Sequence, residues 1–228
     1  MSSQINQEKL SLSESKYLKA LAQLTVFTGK EKVGTNELAD FVRVKPASSN
    51  NMLQRLGEKG FVIYRRYKKV RLTALGLETA VQLVRSHRVW ETFLAEQLDF
   101  TWSEIDQVAS QLFYIQSNKL IDNLAELIGN PEFDPHGDPI PRKDGTIPEQ
   151  KRLNLLEAGV GIKAVFAGVI DDSVSFLTYV DRIGLKIGDE IVVTGFEAYD
   201  NSVYIEFNDK QLAVTEKFAR QIQVKLVN

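Results

Sequence analysis

Apolar positions recur at helical spacing in three short runs over the first third of the chain. In residues 10–28 they are Leu10, Tyr17, Leu18, Leu21, Leu24 and Val26, which predicts one amphipathic helix. Ser11 or Ser13 offers its N-cap, and Gly29-Lys30 ends it. Residues 34–42 predict a second helix, capped by Thr35, with Leu38, Ala39 and Val42 inward. Pro46 suits the first position of a third helix, where a missing N–H is no loss. That helix runs to about Lys59, with Met52, Leu53 and Leu56 inward and Ala47, Ser49, Asn50, Asn51, Gln54 and Arg55 outward. Gly60 stops it. Phe61–Tyr64 and Val70–Thr73 then read as two strands of a hairpin whose tip is Arg65, Arg66, Tyr67, Lys68 and Lys69.

Beyond the hairpin the pattern lengthens. Residues 74–98 predict a long helix with Ala80, Leu83, Val84, His87, Trp90, Leu94 and Leu98 on one stripe. A second helix starts after Thr101, with Trp102, Ile105, Ala109, Leu112 and Phe113 inward, and a third spans about Ser117 to Ile128. The loop GNPEFDPHGDPIPRKDGTIPE holds five of the six prolines and marks a boundary. Residues 150–160 read as a linker or short helix. From residue 162 on, short apolar runs alternate with turns, Asp171–Val180 reads as a helix, and Asn208-Asp209-Lys210 suits a tight hairpin turn. These elements predict a mainly α chain with a small β part. Its parts are a winged helix-turn-helix over residues 1–73, a helical dimerisation domain over 74–141, a linker over 142–161, and an SH3-like barrel over 162–228.

Charge changes this picture. Residues 1–72 carry 14 Lys and Arg against 6 Asp and Glu, a net of +8, while the remainder carries 14 against 24, a net of −10. A basic head on an acidic body suits a partner made of phosphates. No apolar run approaches the roughly 18–20 residues that span a bilayer, and the first residues carry no apolar signal segment, so no membrane partner and a cytoplasmic setting are expected. Cysteine is absent, which excludes disulfides, thiolate metal sites and a cysteine nucleophile. No nucleophile–base pair or phosphate-cradling glycine loop is present, so an enzyme is not expected.

The third helix gives the charge a purpose. Its outward face is small and amide side chains, with almost no charge. Asn and Gln make paired hydrogen bonds to an adenine edge, and Ala or Pro touches a thymine methyl. The cationic hairpin tip beside it suits phosphate or minor-groove contact. The expected DNA-binding set is Pro46, Ala47, Ser49, Asn50, Asn51, Arg55, Arg65, Arg66, Lys68 and Lys69, with double-stranded DNA as partner.

The segments SKYLKAL, KPASSNNMLQRLGEKGFVIY, RLTALG, SHRVWETFL and NPEFDPHGDPIP together resemble the diphtheria-toxin-repressor family of metal-dependent transcriptional regulators, over residues 10–141. IGLKIGDEIVV resembles the SH3-like domain of its longer members. The resemblance implies a homodimer that represses transcription at a near-palindromic operator and is activated by divalent iron or manganese. It places the family's main metal ligands at Lys16, Ser110, Phe113 and Tyr114, none of them a good divalent ligand. Its ancillary site falls on His87, Glu91 and Asp106, which suit a metal better, while the tail's contributors fall near Ser173 and Phe176. His87 and Glu91 lie four apart on one helix face. Either manganese or iron binds at this residual site, or His87 is a core residue paired with a carboxylate and no cofactor is needed. His136 with Asp134 and Asp138 reads as a rigid turn, since Pro135, Gly137 and Pro139 interleave them. Two other readings stay open: a winged-helix sensor of a small organic ligand, and a winged-helix protein-interaction module without DNA binding.

Overall fold

The computed structural model describes residues 10–66, 68–115, 117–149, 151–171 and 173–227; Tyr67, expected at the hairpin tip, lies outside them. The chain divides into two compact units. The first runs to His87 and takes in residues 113–116 and 143–146, and the second holds the rest.

In the first unit, α1 (Leu12–Leu24) opens with a capping box. The Glu14 amide donates to the Ser11 hydroxyl, and the Ser11 amide donates to the Glu14 carboxylate at 2.8 Å. α2 (Thr35–Phe41) is capped by Gly34 rather than Thr35, with the Gly34 amide donating to Glu37. α3 (Pro46–Glu58) begins at Pro46 as expected. β1 (Val62–Ile63) and β2 (Arg71–Leu72) form a short antiparallel hairpin, and Val33 bridges to Val70 beside it. Leu18, Leu21, Leu38, Leu53, Leu56 and Val70 share one core.

α4 (Ala74–Leu98) follows, and the division between the units falls within it, after His87. Its start is fixed by a close approach: a Cβ on Gly76 would lie 1.8 Å from the Phe61 carbonyl oxygen. Residues 83–89 are buried on every side. Leu98, expected on the apolar stripe, is 53% exposed. The chain turns back there through Asp99 at φ +53, and the Phe100 amide donates to the Leu94 carbonyl, so coverage of the stripe ends at Leu94.

The second unit contains α5 (Trp102–Leu112) and α6 (Asn118–Leu127), with Ser117 capping α6. β3 (Leu153–Asn154) and a short 3-10 turn (Leu155–Ala158) occupy the segment read as a linker. Then come β4 (Lys163–Val169), α7 (Val174–Ile183), β5 (Glu190–Phe196), β6 (Ser202–Phe207), β7 (Lys210–Thr215), α8 (Glu216–Gln221) and β8 (Ile222–Leu226). The strands form one antiparallel sheet in the order β3-β8-β4-β5-β6-β7, the observed form of the expected SH3-like part. α7 starts three residues later than the sequence pattern suggests, with Ser173 as its N-cap, and stops at Gly184 in the left-handed region. Asn208 and Asp209, both at positive φ, make the tight turn between β6 and β7. Among the described residues, no helix is long and apolar enough to cross a membrane.

Candidate nucleic-acid interface and metal cluster

α3 turns Leu53 and Leu56 fully into the core, and Ser49 with them. Ser49 was expected outward; its spacing to Leu53 and Leu56 is four and seven, which is the inward face. Its hydroxyl lies near Tyr17, where burial pushes the phenol up and Ser49 opposes that shift. Pro46, Ala47, Asn51, Gln54 and Arg55 are exposed, Asn50 is half-buried, and Arg65, Arg66, Lys68 and Lys69 are all exposed. Ala47, Asn50, Asn51 and Gln54 join Tyr64 and Arg66 around a concavity of about 450 Å³. The Tyr64 hydroxyl donates to the Asn50 side-chain carbonyl at 2.9 Å, a contact the sequence did not announce.

The reader helix is tied down at its other end. The Glu14 side chain is 1% exposed and takes Lys59 at 3.1 Å and Arg55 at 3.5 Å. Burial alone would raise its pKa. The Ser11 amide, the Lys59 ammonium and the Ser11 hydroxyl outweigh that and hold it below the usual carboxylate range. One carboxylate therefore starts α1 and grips the end of α3.

The positions assigned to the family's main metal site look different. Lys16 and Tyr114 are exposed, and Ser110 donates to Asp106 at 3.3 Å. Phe113 is almost fully buried. The Lys19 ammonium lies 5.2 Å from the centre of its ring, and the His87 imidazole meets the ring edge-on at 5.7 Å.

The second unit holds the contrasting cluster. Glu91, Asp134 and His136 are all buried, and one ligand atom from each lies within 4.8 Å of the others. The His136 Nδ1 is 3.8 Å from Glu91. Its Nε2 is buried with no hydrogen-bond partner among the described residues. Trp102 packs edge-on against the imidazole at 5.4 Å. Asp134 accepts from the backbone amides of His136 and Asp138. Arg88 reaches Asp134 at 3.5 Å and Asp138 at 2.8 Å, and donates to the Pro139 carbonyl. Burial, with Asp138 and Glu91 nearby, pushes the Asp134 carboxyl up to about 7 despite Arg88. Burial alone would lower His136, but the Glu91 and Asp134 charges raise it. Glu91 and Asp106 also carry ligand atoms within 4.8 Å of each other.

The turn does more than reverse the chain. Gly137, at φ +89, lies so close to β4 that a Cβ would sit 2.0 Å from the Ala167 carbonyl oxygen, and the Val169 amide donates to the His136 carbonyl. The prolines and glycine shape the turn, and its Asp and His point into the cluster. The expected turn is present, and Glu91, distant in sequence, lies within reach of its Asp134 and His136.

Comparison with known proteins divides the chain into three matched segments. Residues 9–70 match the iron dependent repressor N-terminal DNA binding domain, and residues 73–142 match the iron dependent repressor metal binding and dimerisation domain. Residues 153–226 match the FeoA domain. The crystal structure of ScaR with bound Zn2+ is 30% identical, with a TM-score of 0.74 over 94% of this chain and 99% of that one. The chain belongs to the iron-dependent repressor family. A manganese-dependent transcriptional repressor in complex with manganese, 27% identical, has a TM-score of 0.81 over 94% of this chain and all of that one. The HTH-type transcriptional regulator MntR of Shouchella clausii is 27% identical over 133 residues, 51% of this chain and 92% of that protein. A probable metal transport system membrane protein of Chlamydia trachomatis is 38% identical over 72 residues; the match spans only 16% of that protein.

Within this family, the positions expected for the main metal site and the second-unit cluster differ as donors. A lysine, a serine, a phenylalanine and a tyrosine do not fit a divalent cation. Two carboxylates and an imidazole do, and among the described residues the buried Nε2 of that imidazole has no hydrogen-bond partner.

Proposed function

We propose that this iron-dependent repressor is a cytoplasmic, homodimeric DNA-binding regulator. Its response to divalent iron or manganese passes through Glu91, Asp134 and His136. Residues 1–73 serve DNA binding and 74–141 dimerisation, and the linker expected over 142–161 is shortened to the stretch before Leu153, where β3 joins the sheet of the SH3-like part. The observation that carries the reading is the nearly uncharged amide face of α3 beside an exposed cationic hairpin tip. A solvated helix face has no need of that pairing. A dimer places two such helices in successive major grooves. Pro46, Ala47, Asn50 and Asn51 face bases, and Arg55, Arg65, Arg66, Lys68 and Lys69 face phosphates.

A bound divalent cation would neutralise the carboxylates. The chain's own residues do the rest: Arg88 fixes the turn, Trp102 shields the imidazole, and Gly137 lets the turn lie on β4. None of Lys16, Ser110, Phe113 or Tyr114 takes part in metal binding.

The test is DNA binding of the full chain at several salt concentrations, with manganese, with ferrous iron and with chelator. Affinity should fall steeply with salt and rise with either metal. Binding indifferent to chelator refutes the metal arm, and an absence of salt-dependent binding refutes DNA reading itself.

A further inference from the structure

The bond between Tyr64 and Asn50 has a consequence for sequence reading, resting on the DNA-binding role proposed above. A free asparagine can present either end of its amide. Turned one way it offers a carbonyl acceptor, and turned the other it offers an NH2 donor. Here the carbonyl oxygen is engaged by the Tyr64 hydroxyl at 2.9 Å. The Tyr64 ring packs against the first unit's core, so its hydroxyl projects from an anchored base. Both residues line the concavity on the reader face, beside Ala47 and Asn51. In this orientation the carbonyl faces the hairpin, and the NH2 is the end turned toward a base.

We infer that Tyr64 is a specificity-determining positioning residue: by holding the Asn50 carbonyl, it makes Asn50 a donor that reads an acceptor on the base edge. In the major groove guanine offers N7 and O6, adenine offers N7, and thymine offers O4. Cytosine offers only its N4 donor. The operator position under Asn50 therefore excludes cytosine. Tyr64 touches no base in this arrangement and acts entirely through the amide.

The experiment is selection of sites from randomised duplex DNA by the full chain with manganese present, run in parallel for wild type, Tyr64→Phe and Asn50→Asp. Wild type should yield one position per half-site from which cytosine is depleted about tenfold or more. Tyr64→Phe keeps the packed ring and loses only the hydroxyl. It should bring cytosine at that position to near parity, with the other positions and the salt slope unchanged. Asn50→Asp carries acceptors only and should turn the same position toward cytosine, whose N4 group donates. Thermal melting of each variant identifies any loss of fold. Base preferences for Tyr64→Phe identical to wild type overturn the inference. So does wild-type enrichment of cytosine, which means the carbonyl faces the base. If wild type enriches no sequence at all, the DNA-reading role fails and this inference with it, an outcome distinct from the other two.

Discussion

Two buried clusters, one in each unit, show two ways of handling positive charge. Around Phe113 there is no carboxylate ligand from the positions the family would use, and the cation is the Lys19 ammonium, 5.2 Å from the ring. Around His136 stand the carboxylates of Glu91 and Asp134, with Arg88 3.5 Å from Asp134, and among the described residues the imidazole Nε2 has no hydrogen-bond partner. A covalently attached ammonium is always present. A dissolved metal ion is present only at sufficient concentration. The difference is that the first contact carries its own cation, whereas the second, on the role proposed above, waits for one from solution.

The largest test of this contrast is Gly137→Ala. The new Cβ would meet the Ala167 carbonyl at 2.0 Å, in a left-handed conformation. A loss of roughly 3 kcal/mol in stability is expected. Calorimetry should show the loss together with weakened metal binding. Unchanged metal affinity would mean that the turn does not position Asp134 and His136.

Next in size is His136→Ala. The wild type should gain about 2.7 kcal/mol of stability when manganese is present at a hundred times its dissociation constant. The variant should lose most of that gain, while its melting without metal moves much less. An undiminished metal-induced shift would remove His136 from the ligand set.

Glu14→Gln is smaller. Glutamine can still cap α1, so the variant isolates the charge that holds Lys59 and Arg55. A loss of about 1 kcal/mol is expected. Because the folded-state pKa of Glu14 is lowered, its contribution is present above its ordinary value of 4.5 and disappears as the pH falls below it. A pH series of melting temperatures should show wild type and variant converging in acid. A constant gap between them would show that the charge is not the cause.

The smallest effect is that of Lys19→Met, which keeps the length of the chain and removes the cation. About 0.5–1 kcal/mol should be lost, with the metal-induced shift of the protein intact. A changed metal response would join the two clusters and end the contrast drawn above.

The sequence showed much of the fold because its signals were local. Pro46, Gly60 and the apolar spacing marked α3, and the Asn208-Asp209 turn marked the β6–β7 hairpin. Ser49 was misplaced although the signal was there: it shares the spacing of Leu53 and Leu56, but its polarity outweighed its position. The candidate site was less legible. Pro135, Gly137 and Pro139 gave the Asp134–His136 segment a sufficient local explanation as a turn, and nothing local pointed to Glu91. Lys19 and Phe113 are each ordinary in their own helices; only folding makes them a pair. α8 was missed because six residues are too few for helical spacing to show, while the 3-10 turn falls in the segment read as a linker or short helix.

The seam between hairpin and α4 has a consequence for how the head opens. The Thr73 amide donates to the Phe61 carbonyl, and the Thr73 hydroxyl donates to the Gly60 carbonyl. The Gly76 amide donates to the Thr73 hydroxyl, and Leu77 donates to the Thr73 carbonyl. With Gly76 lying against Phe61, no one of these amides can reach solvent without disturbing the others. In hydrogen–deuterium exchange the hairpin exit and the first turn of α4 should behave as a single cooperative unit, with Thr73, Gly76 and Leu77 sharing one opening rate.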